Sequence, residues 1–230
     1  KTLGSGIVLP QVVEGSHVLV LAALVGAITW NCITWYFGIP SSSSHALIGG
    51  LIGAAVADAG ISALNLKGIW DKVLVPLVAS PLAGYLVGFC CMWLIYWVCG
   101  QIHRSKVNAS FRRLQLISAA FMATSHGLND AQKTMGIVTL ALMIFGKIDT
   151  VEVPLWVKLT CAGAMALGTA VGGWKIVKTM GHRIFKMEPV HGFAAESSAA
   201  IVITGASLMG APVSTTHTIS ACIFGVGSSK

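Results

Sequence analysis

The chain has 230 residues, 55% of them hydrophobic and 10% charged, with a mean hydropathy of +0.79. Soluble domains carry roughly a quarter charged residues, so this composition excludes one and points to an integral membrane protein. The formal net charge of +7 is no nucleic-acid signature, because the basic residues form short patches between apolar runs, the pattern of positive-inside topology.

In chain order, apolar runs over 17–37, 73–99 and 156–174 each approach the roughly 20 residues that cross a bilayer core. No segment resembles a cleaved signal. The first run leads into "GIPSSSSHALIGGLIG" (38–53), whose tip at 40–45 places four serines and a histidine in apolar surroundings. The second run carries Pro76 and Pro81 and gives way to a polar connector at 100–113 with Arg104, Lys106, Arg112 and Arg113, which the loop-charge rule makes cytoplasmic. The apolar pattern then resumes but is interrupted at 125–136 by "SHGLNDAQKTMG", a pattern that predicts a helix broken near mid-membrane. Pro154 opens the next span, and Lys175, Lys178, Arg183 and Lys186 follow it as a second basic patch. A single crossing by the broken segment and one by the next span bring both patches to the same side. The six cysteines (Cys32, Cys90, Cys91, Cys99, Cys161 and Cys222) lie mostly in apolar runs without CxxC spacing and read as small packing residues, not as a disulfide or metal set.

The final apolar stretch, from Val190 to Gly227, contains "GAPVSTTHTISACIFG" (210–225), with a second tip at 212–217. Aligned with the first, it repeats Gly38, Pro40, Ser42, His45 and Gly53 as Gly210, Pro212, Ser214, His217 and Gly225, at a constant offset of 172 residues. This is an internal repeat. The first unit is entered from outside and the second from inside, so the repeats are expected to be inverted, as in many secondary transporters. The expected fold is therefore all-α: a polytopic transmembrane helix bundle with two inverted repeats, each with a re-entrant, Ser/Thr-tipped helical hairpin. Residues 1–99 belong to the first repeat, 100–113 to the connector and 114–230 to the second. By the same offset, the first-repeat partner of Asn129 and Asp130 would fall roughly 43 residues before Lys1, so the chain is expected to lack material at both ends.

Each tip reads Gly, then Pro, then Ser/Thr residues, then a small-residue helix. Proline starts helices well and Ser/Thr cap them, so a helix beginning within the membrane presents hydroxyls and unpaired N–H groups at its positive end. Such an end is an anion site, and phosphate fits its donors, as sulfate or a carboxylate would. Capping and interhelical hydrogen bonding are the structural alternative, which two matched clusters make the weaker one. His45 and His217 carry no assignment. In "GLNDAQKTMG", Asn129 and Asp130 offer hard oxygen ligands for a cation, with Gln132 and Lys133 in support, and Lys133 could pair with Asp130 or with the anion. Glu196, in "GFAAESSAA", is a second carboxylate able to hold a cation, carry a proton or make an interhelical hydrogen bond. Since a multiply charged anion needs cations to offset it, the residues favour symport with Na+ or H+.

These motifs, "FGIPSSSSHALIGGLIG", "SHGLNDAQKTMGIVTLAL" and "PVSTTHTISA", resemble the inorganic phosphate transporter (PiT) family along nearly the whole chain. The resemblance implies inverted repeats, phosphate held between the tips of two hairpins, and cotransport with Na+ or H+, in some bacterial members as a metal-phosphate complex. It implies Ser42, Ser43, Ser44, Ser214, Thr215 and Thr216 as phosphate ligands, Asn129 and Asp130 in ion and phosphate coordination, and Glu196 as a membrane carboxylate needed for transport. The family's usual Gly-Ala-Asn-Asp reads Gly-Leu-Asn-Asp here, a change expected to affect packing more than chemistry. Without the first-repeat copy of this motif, the chain alone is expected to lack half of its ion site and not to transport. No catalytic residue, resident metal or cofactor is expected. The expected partners are inorganic phosphate and membrane lipid, with room for a homodimer. Compact connectors point to a prokaryote and to the bacterial inner (plasma) membrane.

Two other classes weigh less. An intramembrane hydrolase built on Ser44 and His45, or on Ser214 and His217, is disfavoured because helix neighbours point about 100° apart and no GxSxG elbow is present. A channel would be expected to show carboxylate rings around an open pore. A carrier of another small oxyanion, such as sulfate, is the nearest rival.

Overall fold

The computed structural model describes residues 4–9, 11–12, 17–148, 152–180, 187–209 and 213–229. Arg183 and Lys186 of the second basic patch, and Gly210 and Pro212 of the second tip, lie outside the described residues. Among the described residues the chain is helical, with one isolated bridge between Val8 and Leu64 and no strand.

Seven long helices organise it: α1 His17–Phe37, α2 Ser43–Ala59, α3 Val75–Cys99, α4 Arg104–Ile144, α5 Leu155–Gly172, α6 Pro189–Leu208 and α7 Thr215–Ser228. Among the described residues, three stretches are long and apolar enough to cross a membrane: Val18–Phe37, Leu66–Cys99 and Leu155–Gly172. Their side chains explain how. Val18, Leu21, Val25 and Ile28 of α1, and Leu155, Leu159 and Leu167 of α5, are all exposed, which in water would be a liability and in lipid is the favourable arrangement.

The chain groups into two compact units, 1–76 with 130–174, and 77–129 with 175–230. The first unit holds α1 and α2 as a hairpin packed through Leu19, Val20 and Ala23 against Ile48, Leu51 and Ala55. Gly50 lets the two helices approach closely, because a Cβ there would run into the Ala23 carbonyl, the small-residue packing that membrane bundles use. α1 stops where Gly38, at φ +66, adopts the left-handed conformation that a side chain resists. The amides of Gly38 and Ile39 then reach back to the carbonyls of Trp35 and Thr34 at 3.0 and 2.9 Å, closing the helix end as a Schellman motif. Gly146, at φ +62, closes α4 in the same way.

In the second unit, α6 and α7 form the corresponding hairpin, with Val190, Ala194 and Ala195 in one core with Ile223 and Val226. α3 joins it through Gly84 and Gly88, which are spaced four apart so that both meet the same face of α7. A Cβ at Gly88 would stand 2.6 Å from the Cys222 carbonyl, and one at Gly84 2.9 Å from that of Thr218.

One expectation is corrected. The predicted break at 125–136 is absent: α4 runs without interruption for 41 residues. Nothing in 104–144 removes a backbone donor, since no proline lies there, and the polar side chains find partners on neighbouring helices instead of breaking the backbone. α4 begins at Arg104, so the basic residues of the expected connector at 100–113 lie on its first turns. His103 starts it, its carbonyl accepting from the amide of Lys106 at 2.9 Å and its ring nitrogen from that of Ser105 at 3.4 Å.

Candidate functional site

The first tip is built from the turn upward. After Pro40 the chain is extended, and Ser42, at φ −91 and ψ 112, accepts the His45 amide at 3.2 Å and so caps α2. Ahead of the cap, Ser41 and Thr34 share a hydrogen bond of 2.8 Å that ties the tip to the end of α1. The cap leaves Ser43 and Ser44 on the first turn, where the helix is most positive. Ser44 is buried and Ser43 exposed.

Asp130 and Lys133, one turn apart on α4, meet this end. The Lys133 ammonium donates to Ser44 Oγ at 2.6 Å and to Asp130 Oδ1 at 3.2 Å. Ser43 Oγ lies 3.5 Å from the other carboxylate oxygen. The four residues line a cavity of about 440 Å³ completed by Leu47 of α2, Ala131 and Thr134 of α4, and Thr160, Cys161, Ala164 and Met165 of α5. Hydroxyls, an ammonium and a helix N-terminus thus face one cavity, a donor set for an oxyanion. Gln132 is exposed and lines no part of it.

The second tip repeats the cap. Ser214, at φ −84 and ψ 110, accepts the His217 amide at 3.2 Å and starts α7. The angles and distance nearly equal those of Ser42, so the sequence repeat is also a repeat of local geometry. Thr215 is buried and Thr216 half-buried. Asn129 serves this tip: its amide donates to the Val213 carbonyl at 3.4 Å, and its carbonyl accepts from Ser207 at 3.4 Å. One side chain of α4 therefore holds both the end of α6 and the approach to α7.

Glu196 lies on α6 and accepts a 2.6 Å hydrogen bond from Ser118 of α4. Further along the same two helices, Ser125 and Thr204 pair at 3.0 Å. With Asn129 and Ser207 these pairs form a polar ladder between α4 and α6, and Ser118, Ser125 and Asn129, at spacings of seven and four, share one helix face. The ladder, like Thr160 beside the first tip, was not anticipated from the sequence. Its signal is that spacing, which becomes visible once α4 is taken as continuous. Among the described residues no group of three or more His, Cys, Asp or Glu is placed to hold a metal.

The sequence profile described as "Phosphate transporter family" matches residues 1–230. A "Probable low-affinity inorganic phosphate transporter" of Bacillus subtilis (strain 168) is 47% identical over 230 residues, covering 100% of this chain and 69% of that relative. One of the same description from Rhizobium meliloti (strain 1021) is 46% identical over 231 residues, covering 100% and 68%. Among solved structures, "The sodium-dependent phosphate transporter" matches with a TM-score of 0.84 at 24% identity, covering 100% of this chain and 75% of that chain. That last likeness speaks to the helical fold.

Proposed function

Since this chain belongs to the phosphate transporter family, and thus to a family of membrane transporters and not of enzymes, we propose that its hydroxyl tips bind inorganic phosphate for symport with a cation. The observation that carries this reading is the convergence of Ser43, Ser44 and Lys133 on one cavity at the N-terminus of α2, where hydroxyl, ammonium and amide donors suit a tetrahedral oxyanion. Ser42, Ser43 and Ser44 of the first tip, and Ser214, Thr215 and Thr216 of the second, are the proposed ligand positions. Asn129 and Glu196 supply oxygen atoms for the cation that accompanies the anion, and Asp130 supplies a carboxylate whose charge a cation has to balance.

The two tips belong, in this reading, to inverted repeats with re-entrant hairpins in the plasma membrane. The 172-residue offset and the matched caps of Ser42 and Ser214 support it. The coupling ion is proposed to be Na+ or H+.

The test is uptake of labelled phosphate by the full-length transporter in proteoliposomes under imposed Na+ or proton gradients. Ser43→Ala and Thr215→Ala are each expected to lower uptake at least ~10-fold, the loss of one hydrogen bond to a charged group. Uptake unchanged in both variants would sink the ligand assignment. Stronger competition by sulfate than by unlabelled phosphate would favour the other-oxyanion reading, and dependence on an added divalent metal would identify a metal-phosphate complex as the cargo.

A further inference from the structure

The geometry points to Lys133 as a built-in countercation: its ammonium occupies, at Asp130, the place that a free coupling cation would otherwise take. The inference rests on the phosphate-symport reading and names the positive charge at one of its carboxylates.

Four observations carry it. The side chain is 9% exposed and ends between two oxygens, the Ser44 hydroxyl at 2.6 Å and Asp130 Oδ1 at 3.2 Å. A hard cation takes up oxygens of this kind, a carboxylate with a hydroxyl beside it. Ser43 approaches the remaining carboxylate oxygen at 3.5 Å, so the carboxylate stands directly against the hydroxyl tip. Finally, all four residues face the cavity, so the pair is part of its wall.

A bare carboxylate against that tip would repel an arriving anion, and some cation has to neutralise it. A mobile ion could do so, as could a tethered ammonium held one helical turn away on the same helix. The chain has the ammonium in place. A pair serving only to hold α4 would need neither the Ser44 contact nor a position on the cavity, and burying two charges is a weak route to stability where apolar residues would pack as well. The consequence is that Asp130 takes no Na+ while Lys133 is present, and that cation coupling is carried by other oxygens, Glu196 among them.

The experiment uses the purified full-length protein in detergent without phosphate. The thermal midpoint is followed by tryptophan fluorescence in NaCl and in choline chloride of equal ionic strength. Lys133→Gln exposes the Asp130 carboxylate and is expected to gain a Na+-specific rise of about 3 °C over wild type, the shift that a ligand at roughly ten times its Kd gives a chain of this size. Adding Asp130→Asn should abolish the gain. Equal Na+ responses in Lys133→Gln and the double variant would overturn the inference. Should Lys133→Gln not fold, Asp130→Asn alone asks the same question with the lysine present: the Na+ response of wild type should survive it, and its loss would overturn the inference. A protein that moves no phosphate while Lys133→Gln gains the Na+ response would end the transport reading and leave Lys133 as the countercation.

Discussion

At the scale of single residues, the pairings separate groups that bear charge from groups that hold it in place. Ser44 contributes one oxygen to the Lys133 ammonium at 2.6 Å; Ser44→Ala removes it and leaves a buried donor short of a partner. A hydrogen bond to a charged group is worth about 1.5–3 kcal/mol, so the variant is expected to raise the phosphate KM roughly 10- to 100-fold, read from initial rates of uptake. A KM within twofold of wild type would remove Ser44 from the site. Glu196 asks a different question, because its carboxylate accepts from Ser118 at 2.6 Å and could be a structural acceptor alone. Glu196→Gln keeps an acceptor for Ser118 and deletes the charge. If Glu196 holds a coupling cation, Glu196→Gln loses uptake more than ~10-fold while its thermal midpoint stays within ~2 °C, the shift of a sub-kcal change. A large fall in the midpoint with uptake retained per folded protein would make it a structural residue. Ser118→Ala serves as the control, costing about 1 kcal/mol of stability while leaving the charge in place.

At the scale of elements, the two hairpins depend on their caps and on close helix contact. Ser42→Ala and Ser214→Ala should each lower stability by about 1 kcal/mol, whereas glycine at the same positions should cost only a few tenths. Denaturation midpoints of the four variants check this, and alanine no worse than glycine would show that the hydroxyls do not cap. Gly225 sits where a Cβ would overlap the Tyr85 carbonyl and crowd the Phe89 amide at 2.9 Å, so Gly225→Ala forces α3 from α7 and is expected to cost about 1–3 kcal/mol. How far these elements are legible in the sequence follows from where their causes lie. The caps are local: Pro40 followed by serines, and the same pattern 172 residues later, contain the physics of a helix start, and both starts are found. The span at 17–37 is equally local, because twenty apolar residues need no partner to declare themselves. The stretch 125–136 is less legible, because its polar residues find their partners in side chains distant in sequence. Asp130 and Lys133 reach Ser43 and Ser44, and Asn129 reaches Ser207 and Val213. Without those partners a polar run in a hydrophobic segment reads as a broken helix, and a broken helix conceals that Ser118, Ser125 and Asn129 share a face.

At the scale of the whole molecule, the continuity of α4 makes the topology testable. Forty-one helical residues at 1.5 Å each extend about 60 Å, twice the roughly 30 Å hydrocarbon core, which is long enough for the single crossing expected of this stretch with several turns to spare. Its first turns carry Arg104, Lys106, Arg112 and Arg113, the residues least able to enter lipid. α5, with 18 residues, is long enough for one return crossing. If each crosses once, Lys106, near the start of α4, and Lys178, just beyond α5, share one face of the membrane, the face that the positive-inside rule predicts to be cytoplasmic. Single cysteines placed by Lys106→Cys and Lys178→Cys in the full-length protein, with the native cysteines replaced, should therefore resist a membrane-impermeant maleimide in intact cells. Both should react after permeabilisation. Labelling of one and not the other in intact cells would mean that α4 or α5 does not span. Labelling of both would reverse the orientation, and with it the side from which each hydroxyl tip is entered.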